Sequence, residues 1–224
     1  MRIDPTLVPF AKPNLLLQEQ VDHASLAEVE ALKRACDIAF EKTSKTDNYE
    51  WIRDRDKLLI AVLWASGSRI SDALGMTKDK ISYVDHSITF LVHKRKSKKK
   101  NTDGKFWHTI TIDGVTIGEI ADYTNKWDMK GLLFPASLKG TKPLTRQAVA
   151  IKLVKYGAIA GLRHIHAHMI RHGIAMHLQG QGVPAEAIAH HLAHSSTTVT
   201  LSTYARMSAS QERAILENLN VKFR

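Results

Sequence analysis

One cysteine, Cys36, stands among 224 residues, so no intramolecular disulfide is possible and nothing in the chain calls for an oxidising compartment. Long apolar runs are missing too. The longest, around Leu58 to Ala65, falls far short of the roughly 20 residues that a membrane-spanning helix needs. The first twenty residues hold Pro5, Pro9 and Pro13, with neither a basic n-region nor a long apolar h-region, so no secretory signal is read there. Negative charge is scarce: 22 Asp plus Glu against 32 Lys plus Arg leave a formal net charge of +10. That balance favours a polyanionic partner, because each phosphate neutralised by Lys or Arg releases condensed counterions. With 44% apolar residues the chain can build a core, which excludes disorder. A soluble cytoplasmic protein without membrane contact is expected.

Residues 1–22 read as an extended leader or arm, since three prolines at four-residue spacing forbid a helix. The rest, residues 23–224, reads as one mainly α domain with a small antiparallel β-sheet. Ser25 and Glu28 form a capping box, and Val29, Leu32, Cys36, Ala39 and Phe40 recur at helical spacing behind it. A second helix is predicted from near Tyr49 through the apolar block to Gly67, and a short one from Ser68 to Leu74. The period then changes to two. Ile81 to Val84, Ser87 to His93 and Phe106 to Ile112 are rich in β-branched and aromatic residues and read as strands. Helices are predicted over Val115 to Trp127, Arg146 to Ala160 behind Thr145 as N-cap, His168 to Gln179, Ala185 to Leu192 and Thr197 to Met207. A last one starts at Ser208, whose partner Gln211 makes a second capping box.

Eight of the twelve histidines fall between His164 and His194. One reading is a metal site, since His164, His166 and His168 alternate and His168 and His172 lie four apart on a helix. Zinc-protease chemistry would need Glu directly after His168, where Met169 stands, and Glu186 is the one acidic residue in the cluster. A second reading takes His164-Ile165-His166 with a downstream Tyr as similar to metal-dependent single-strand nickases and relaxases. A third takes His168-Met169-Ile170-Arg171-His172 as a helix start that presents an imidazole and a guanidinium one turn apart on one face. A bidentate cation beside a hydrogen-bonding ring suits a phosphodiester.

The third reading has company along the chain. Gly67-Ser68-Arg69-Ile70-Ser71-Asp72-Ala73-Leu74 lies upstream, Leu192-Ala193-His194-Ser195-Ser196 downstream, and Tyr204-Ala205-Arg206-Met207 after that. Together they resemble the tyrosine recombinase (phage integrase) family, in a compact form similar to the fimbrial DNA invertases. That family carries a Gly-x-Arg-x-Ser-Glu/Asp-x-Leu box, a lysine on a β-hairpin, a His-x-x-Arg-His box, a Leu-Gly-His-Ser box and a nucleophilic Tyr. The resemblance implies Arg69 and Arg171 as the catalytic arginines, His168 and His194 as the histidines and Tyr204 as the nucleophile. It implies Lys96 as the hairpin lysine, with Lys94 and Lys98 as alternatives. Three departures stand out. Ala193 replaces the usual Gly, a small-for-small exchange expected to matter little. Tyr204 sits ten residues after His194, one more than is common. About 22 residues precede the first helix, where most members have a core-binding domain.

The resemblance further implies strand exchange through a covalent 3′-phosphotyrosine, with neither metal nor ATP. The phenol of Tyr204 would attack phosphorus, the arginines and His194 would hold the non-bridging oxygens, and Lys96 would protonate the departing 5′ oxygen. His168 either accepts the tyrosine proton or holds the phosphate. Lys94, Arg95, Lys98, Lys99 and Lys100 would track the DNA backbone, unless the run is simply a solvated hairpin tip. The expected partner is double-stranded DNA carrying a specific recombination site, which would place the protein with the nucleoid. Self-association on DNA is also expected, since Ile215, Leu216 and Leu219 form a stripe that either docks on a neighbouring copy or closes the chain's own core. A non-catalytic DNA-binding protein of the same fold is the remaining alternative.

Overall fold

The backbone N–H of Glu28 donates to Ser25 Oγ at 3.2 Å, and the Glu28 carboxylate accepts from Ser25 N at 2.8 Å, so the expected capping box opens α1 (Leu26–Glu41). In the computed structural model, which describes residues 23–42, 47–93 and 106–193, α1 buries Val29, Leu32, Ala35, Cys36 and Ala39. The partner of that face is α2 (Asp47–Ser66). Its second half, Leu58 to Leu63, is buried on every side, as a helix that is apolar all round must be. This helix runs through the middle, with α1, α4 (Gly114–Lys126) and α6 (Ala167–Gly180) packed on it and α5 (Arg146–Ile159) packed on α1.

The first half of α2 is polar yet also partly buried. Arg55 and Asp56, each 2% exposed, form an ion pair at 2.8 Å. Arg55 also donates to the Pro135 carbonyl at 3.0 Å, and Asp56 accepts from Tyr156 Oη at 2.5 Å and Lys152 at 2.7 Å. A buried charge pair is tolerated only when its remaining bonds are filled, and these bonds tie α2 to α5 and to the loop before it. Burial pushes the thiol of Cys36 up to about 12, so it behaves as a small apolar group rather than a nucleophile.

The expected sheet is present but shorter than predicted: β1 (Ile81–Ser82), β2 (Ser87–Leu91) and β3 (Trp107–Thr111), antiparallel in chain order. Ile88 pairs with Ile110 and Phe90 with His108 on the buried face, while Thr89 and Thr109 share a hydroxyl bond of 2.8 Å on the other. Boundaries moved elsewhere as well. The short helix α3 contracts to Ile70–Ala73, because the buried Ser66 hydroxyl, at the end of α2, bonds both the hydroxyl and the backbone N–H of Ser68 and keeps that residue outside the helix. The helix predicted from Val115 begins one residue earlier, since Asp113 caps it by accepting from Thr116 N. Thr145 caps α5 as expected, accepting from Ala148 N. His164 to His166 form no strand among the described residues, and α7 (Ala185–His191) follows α6 closely. The leader 1–22, the segment Thr197 to Met207 and the helix expected from Ser208 lie outside the described residues. No described helix is long and apolar enough to cross a membrane.

The segment leading into α1 crosses α6 at Gly173. Ala24 N donates to the Met169 carbonyl at 2.9 Å, and a Cβ on Gly173 would overlap the Ala24 carbonyl oxygen and lie 2.8 Å from Trp64 Cζ3. Arg163 fastens the same segment by donating to the His23 carbonyl at 2.6 Å and to Glu28. Gly173→Ala is therefore expected to destabilise the protein by about 1–3 kcal/mol, even though alanine is the better helix former. Urea denaturation tests this, and an unchanged midpoint would show that the crossing yields freely.

Candidate active site

Helix α2 ends at Ser66, and Gly67 turns the chain with φ of +53°, a left-handed conformation that favours glycine. Space demands glycine there as well, since a Cβ would overlap Leu192 Cδ2. Two residues on, Arg69 precedes α3 in an extended conformation, its side chain 31% exposed. This turn is the meeting point of the three boxes.

Arg171 reaches the turn from α6. Its Nη1 donates to the Gly67 carbonyl at 2.5 Å and its Nη2 to the Leu192 carbonyl at 2.7 Å. Arg171 is 4% exposed, and the hydrogen-bond partners of its guanidinium among the described residues are these two neutral carbonyls. Burial lowers its pKa first, the positive charge of Arg69 lowers it further, and Asp72 opposes both. Arginine is a strong enough base to stay charged at neutral pH regardless. The shift marks a positive charge that its surroundings leave incompletely neutralised.

The third segment arrives through α7. His191 Nε2 donates to the Ala65 carbonyl at 2.9 Å, which leaves that ring in its Nε2-protonated form, and burial lowers its pKa. Leu192 then packs beside Gly67, and Ala193 N bonds the His190 carbonyl. Ala193 has φ of +51°. The exchange of glycine for alanine at this position is thus not the minor one expected: a Cβ in the left-handed region costs about 1–2 kcal/mol.

Of the predicted site residues, the structure brings Arg69 and Arg171 together. His168 lies at the start of α6, exposed, with its ring centroid 4.3 Å from that of His172. His168 and Arg171 do not share one exposed face of α6 as their spacing suggested: His168 faces outward and Arg171 is buried. Lys94, Arg95, Lys96, Lys98, Lys99, Lys100, His194 and Tyr204 lie outside the described residues. His164 and His166 are exposed, ring centroids 6.0 Å apart, and no group of three or more His, Cys, Asp or Glu among the described residues is placed to hold a metal ion.

Two contributors were not singled out by spacing. Asp72, 1% exposed, has one carboxylate oxygen 3.9 Å from Arg69 Nη1 and the other bonded to His93 Nδ1 at 3.0 Å. His191 is the second. Asp72 was readable inside its motif, whereas the roles of His93 and His191 depend on contacts 21 and 126 residues away.

Residues 26–211 match the model of the Phage integrase family. The chain is 29% identical over 175 residues to tyrosine recombinase XerC of Rickettsia bellii, covering 74% of this chain and 52% of that protein. It is 30% identical over 204 residues to a probable integrase/recombinase protein of Methanocaldococcus jannaschii, covering 87% and 56%. The chain thus spans about half the length of these relatives. Among solved structures it superposes on XerA recombinase with a TM-score of 0.66 at 15% identity, covering 90% of this chain and 66% of that one. For the catalytic domain of bacteriophage HP1 integrase the TM-score is 0.54 at 18% identity, covering 88% and 94%. These likenesses establish a shared fold, mainly helical with a small antiparallel sheet.

Two outcomes test the geometry. Ala193→Gly should raise stability by about 1 kcal/mol by relieving the left-handed alanine, read from urea denaturation; no gain would mean that the turn is unstrained. Arg171→Ala should lower stability by about 2–4 kcal/mol, because it strands two buried carbonyls, while Arg69→Ala leaves stability nearly unchanged. Equal losses for the two arginines would contradict their different burial.

Proposed function

The chain belongs to the phage integrase family, and from that premise we propose that it is a site-specific DNA recombinase that cleaves and rejoins strands through Tyr204. The observation that carries this reading is the meeting of the two arginines at one turn: buried Arg171 bonds the Gly67 carbonyl, two residues before Arg69, and the Arg69 charge bears on its guanidinium. Two like charges held together in a poorly solvated place are unfavourable alone and favourable around an anion. A phosphodiester supplies that anion, and the pentacoordinate transition state carries still more negative charge than the ground state. Loss of one such donor typically slows a reaction about 10²- to 10³-fold.

In the proposed reaction the Tyr204 oxygen bonds to phosphorus, the bond from phosphorus to the 5′ oxygen breaks, and Lys96, or Lys94 or Lys98 in its place, gives that oxygen a proton. The phosphotyrosine keeps the energy of the phosphodiester, so the 5′ hydroxyl of a second strand can reverse the step without ATP. Leu192 and Ala193 lead directly into His194, which supports its placement beside the arginines as a donor to the non-bridging oxygens. His168, exposed at the start of α6, serves as proton acceptor or phosphate ligand. The basic run Lys94 to Lys100 follows the backbone of double-stranded DNA, and a specific site is bound by copies that self-associate on it. Residues 23–224 act as one catalytic domain, with residues 1–22 as an arm, in the cytoplasm at the nucleoid. Since the cationic side chains neutralise the phosphate themselves, no divalent ion enters the step.

The test uses a nicked suicide substrate built on inverted repeats from the DNA flanking the gene. Incubated in EDTA, the protein is expected to form an adduct that survives SDS and that Tyr204→Phe abolishes. An adduct that forms only with Mn²⁺ or Mg²⁺ would instead favour nickase chemistry at His164 and His166. Binding with no adduct under any condition would make the chain a DNA-binding protein without turnover.

A further inference from the structure

Strand β2 ends at Leu91, the chain continues through Val92 to His93, and the basic run begins at the next residue, Lys94. His93 is attached to Asp72 at two points. Its backbone N–H donates to Oδ1 at 3.2 Å and its ring Nδ1 donates to the same oxygen at 3.0 Å. The Ser71 hydroxyl adds a third contact to Oδ1 at 3.2 Å. The other oxygen, Oδ2, is buried without a hydrogen bond among the described residues and faces Arg69 Nη1 at 3.9 Å. A single buried carboxylate therefore joins the outgoing end of β2 to a site arginine.

Two bonds from one residue fix direction as well as position, because the strand end cannot pivot about either bond alone. The opposite strand is held too. His108, near the start of β3, is 7% exposed, and its ring centroid lies 5.0 Å from that of His190 on α7. Both arms of the hairpin thus touch elements that carry the site: β2 meets α3, and β3 meets α7. The His93 side chain is 48% exposed, so its bond to Asp72 is a weak source of folding stability. Its value lies in what it orients.

We propose that His93 is a positioning residue, which clamps the end of β2 to Asp72 and so sets, relative to Arg69, where the basic run leaves the sheet. The lysine that protonates the departing 5′ oxygen then approaches the same phosphate that Arg69 grips. This rests on the recombinase reading above. The assisted step is the transfer of a proton from that lysine's ammonium to the 5′ oxygen, as that oxygen takes the electron pair of the broken bond to phosphorus.

The experiment compares single-turnover adduct formation on two suicide substrates, one with the normal 5′ oxygen and one with sulfur in its place. A thiolate departs without a proton, since thiols ionise near neutrality, so the sulfur substrate bypasses the lysine. On the oxygen substrate His93→Ala is expected to be about 10-fold slower or worse, within the contribution of a positioned general acid, with DNA affinity and thermal unfolding unchanged. On the sulfur substrate the defect should shrink to less than about 3-fold, as expected when proton transfer no longer matters. His93→Asn, whose amide can donate to Asp72, should recover much of the rate, and Arg69→Ala should be slow on both substrates. Parental speed for His93→Ala on oxygen, or an equal loss on oxygen and sulfur, would overturn the clamp while leaving the recombinase standing. Absence of any adduct from the parent protein would overturn the recombinase reading and the clamp with it.

Discussion

The guanidinium of Arg171 is the pin on which this molecule turns. It joins three segments that are far apart in the chain, because its two terminal nitrogens bond the carbonyls of Gly67 and Leu192 while its backbone belongs to α6. Only a planar fork can do this: a lysine ammonium is a point donor and could not span two fixed carbonyls in defined directions. The partners are neutral, so the charge is held in place without being cancelled. Asp72 softens the cost from beyond Arg69, yet burial and the second guanidinium still dominate. The interaction that assembles the site is thus the one that leaves it hungry for an anion.

Around this pin the backbone is arranged for closeness rather than comfort. Gly67 adopts positive φ and has no room for a side chain beside Leu192, while Ala193 takes up positive φ with its Cβ in place. Strain of this kind persists only where the surroundings over-determine it. Here they do: Leu192 is held by Arg171, by its own helical bond to Ile188 and by contact with Gly67, and His191 is anchored on Ala65. The residue that follows Ala193 is His194. The rigid base beneath is supplied by the Arg55–Asp56 pair, whose bonds fasten α2 to α5 and the preceding loop.

Local signals in the sequence located most of the fold. The Ser25–Glu28 box, the Thr145 cap, the all-apolar second half of α2 and the period of two in the sheet each act over a few residues, and each element stands where those signals put it. Errors arose where side-chain contacts that no spacing displays decide, whether local or distant. Ser68 and Arg69 were assigned to the short helix, but Ser68 is held outside it by its bonds to the Ser66 hydroxyl. Asp113 was overlooked as a cap, although it accepts from Thr116 N three residues on. The spacing of His168 and Arg171 placed them on one face of α6, whereas the structure buries Arg171 and leaves His168 exposed. The alanine at position 193 was misjudged for a related reason: volume can be compared from a sequence, whereas the sign of φ cannot.

Motif residues and their supports therefore differ in how they can be found. Arg69 and Arg171 belong to patterns that repeat a chemistry, so residue type and order suffice. His93 and His191 support that chemistry from places set by the packing of a particular chain, and no pattern announces them. Yet the supports determine whether two cations can wait at one spot. A guanidinium free to swing would move away from its like-charged neighbour, and the pair would have to reassemble for each phosphate. Held by carbonyls on one side and by the Asp72 carboxylate on the other, Arg171 and Arg69 stay together before any anion arrives, so little reorganisation remains for the moment of reaction. Preorganisation of charge is in this sense the common purpose of the strained turn, the buried fork and the histidine at the foot of the hairpin.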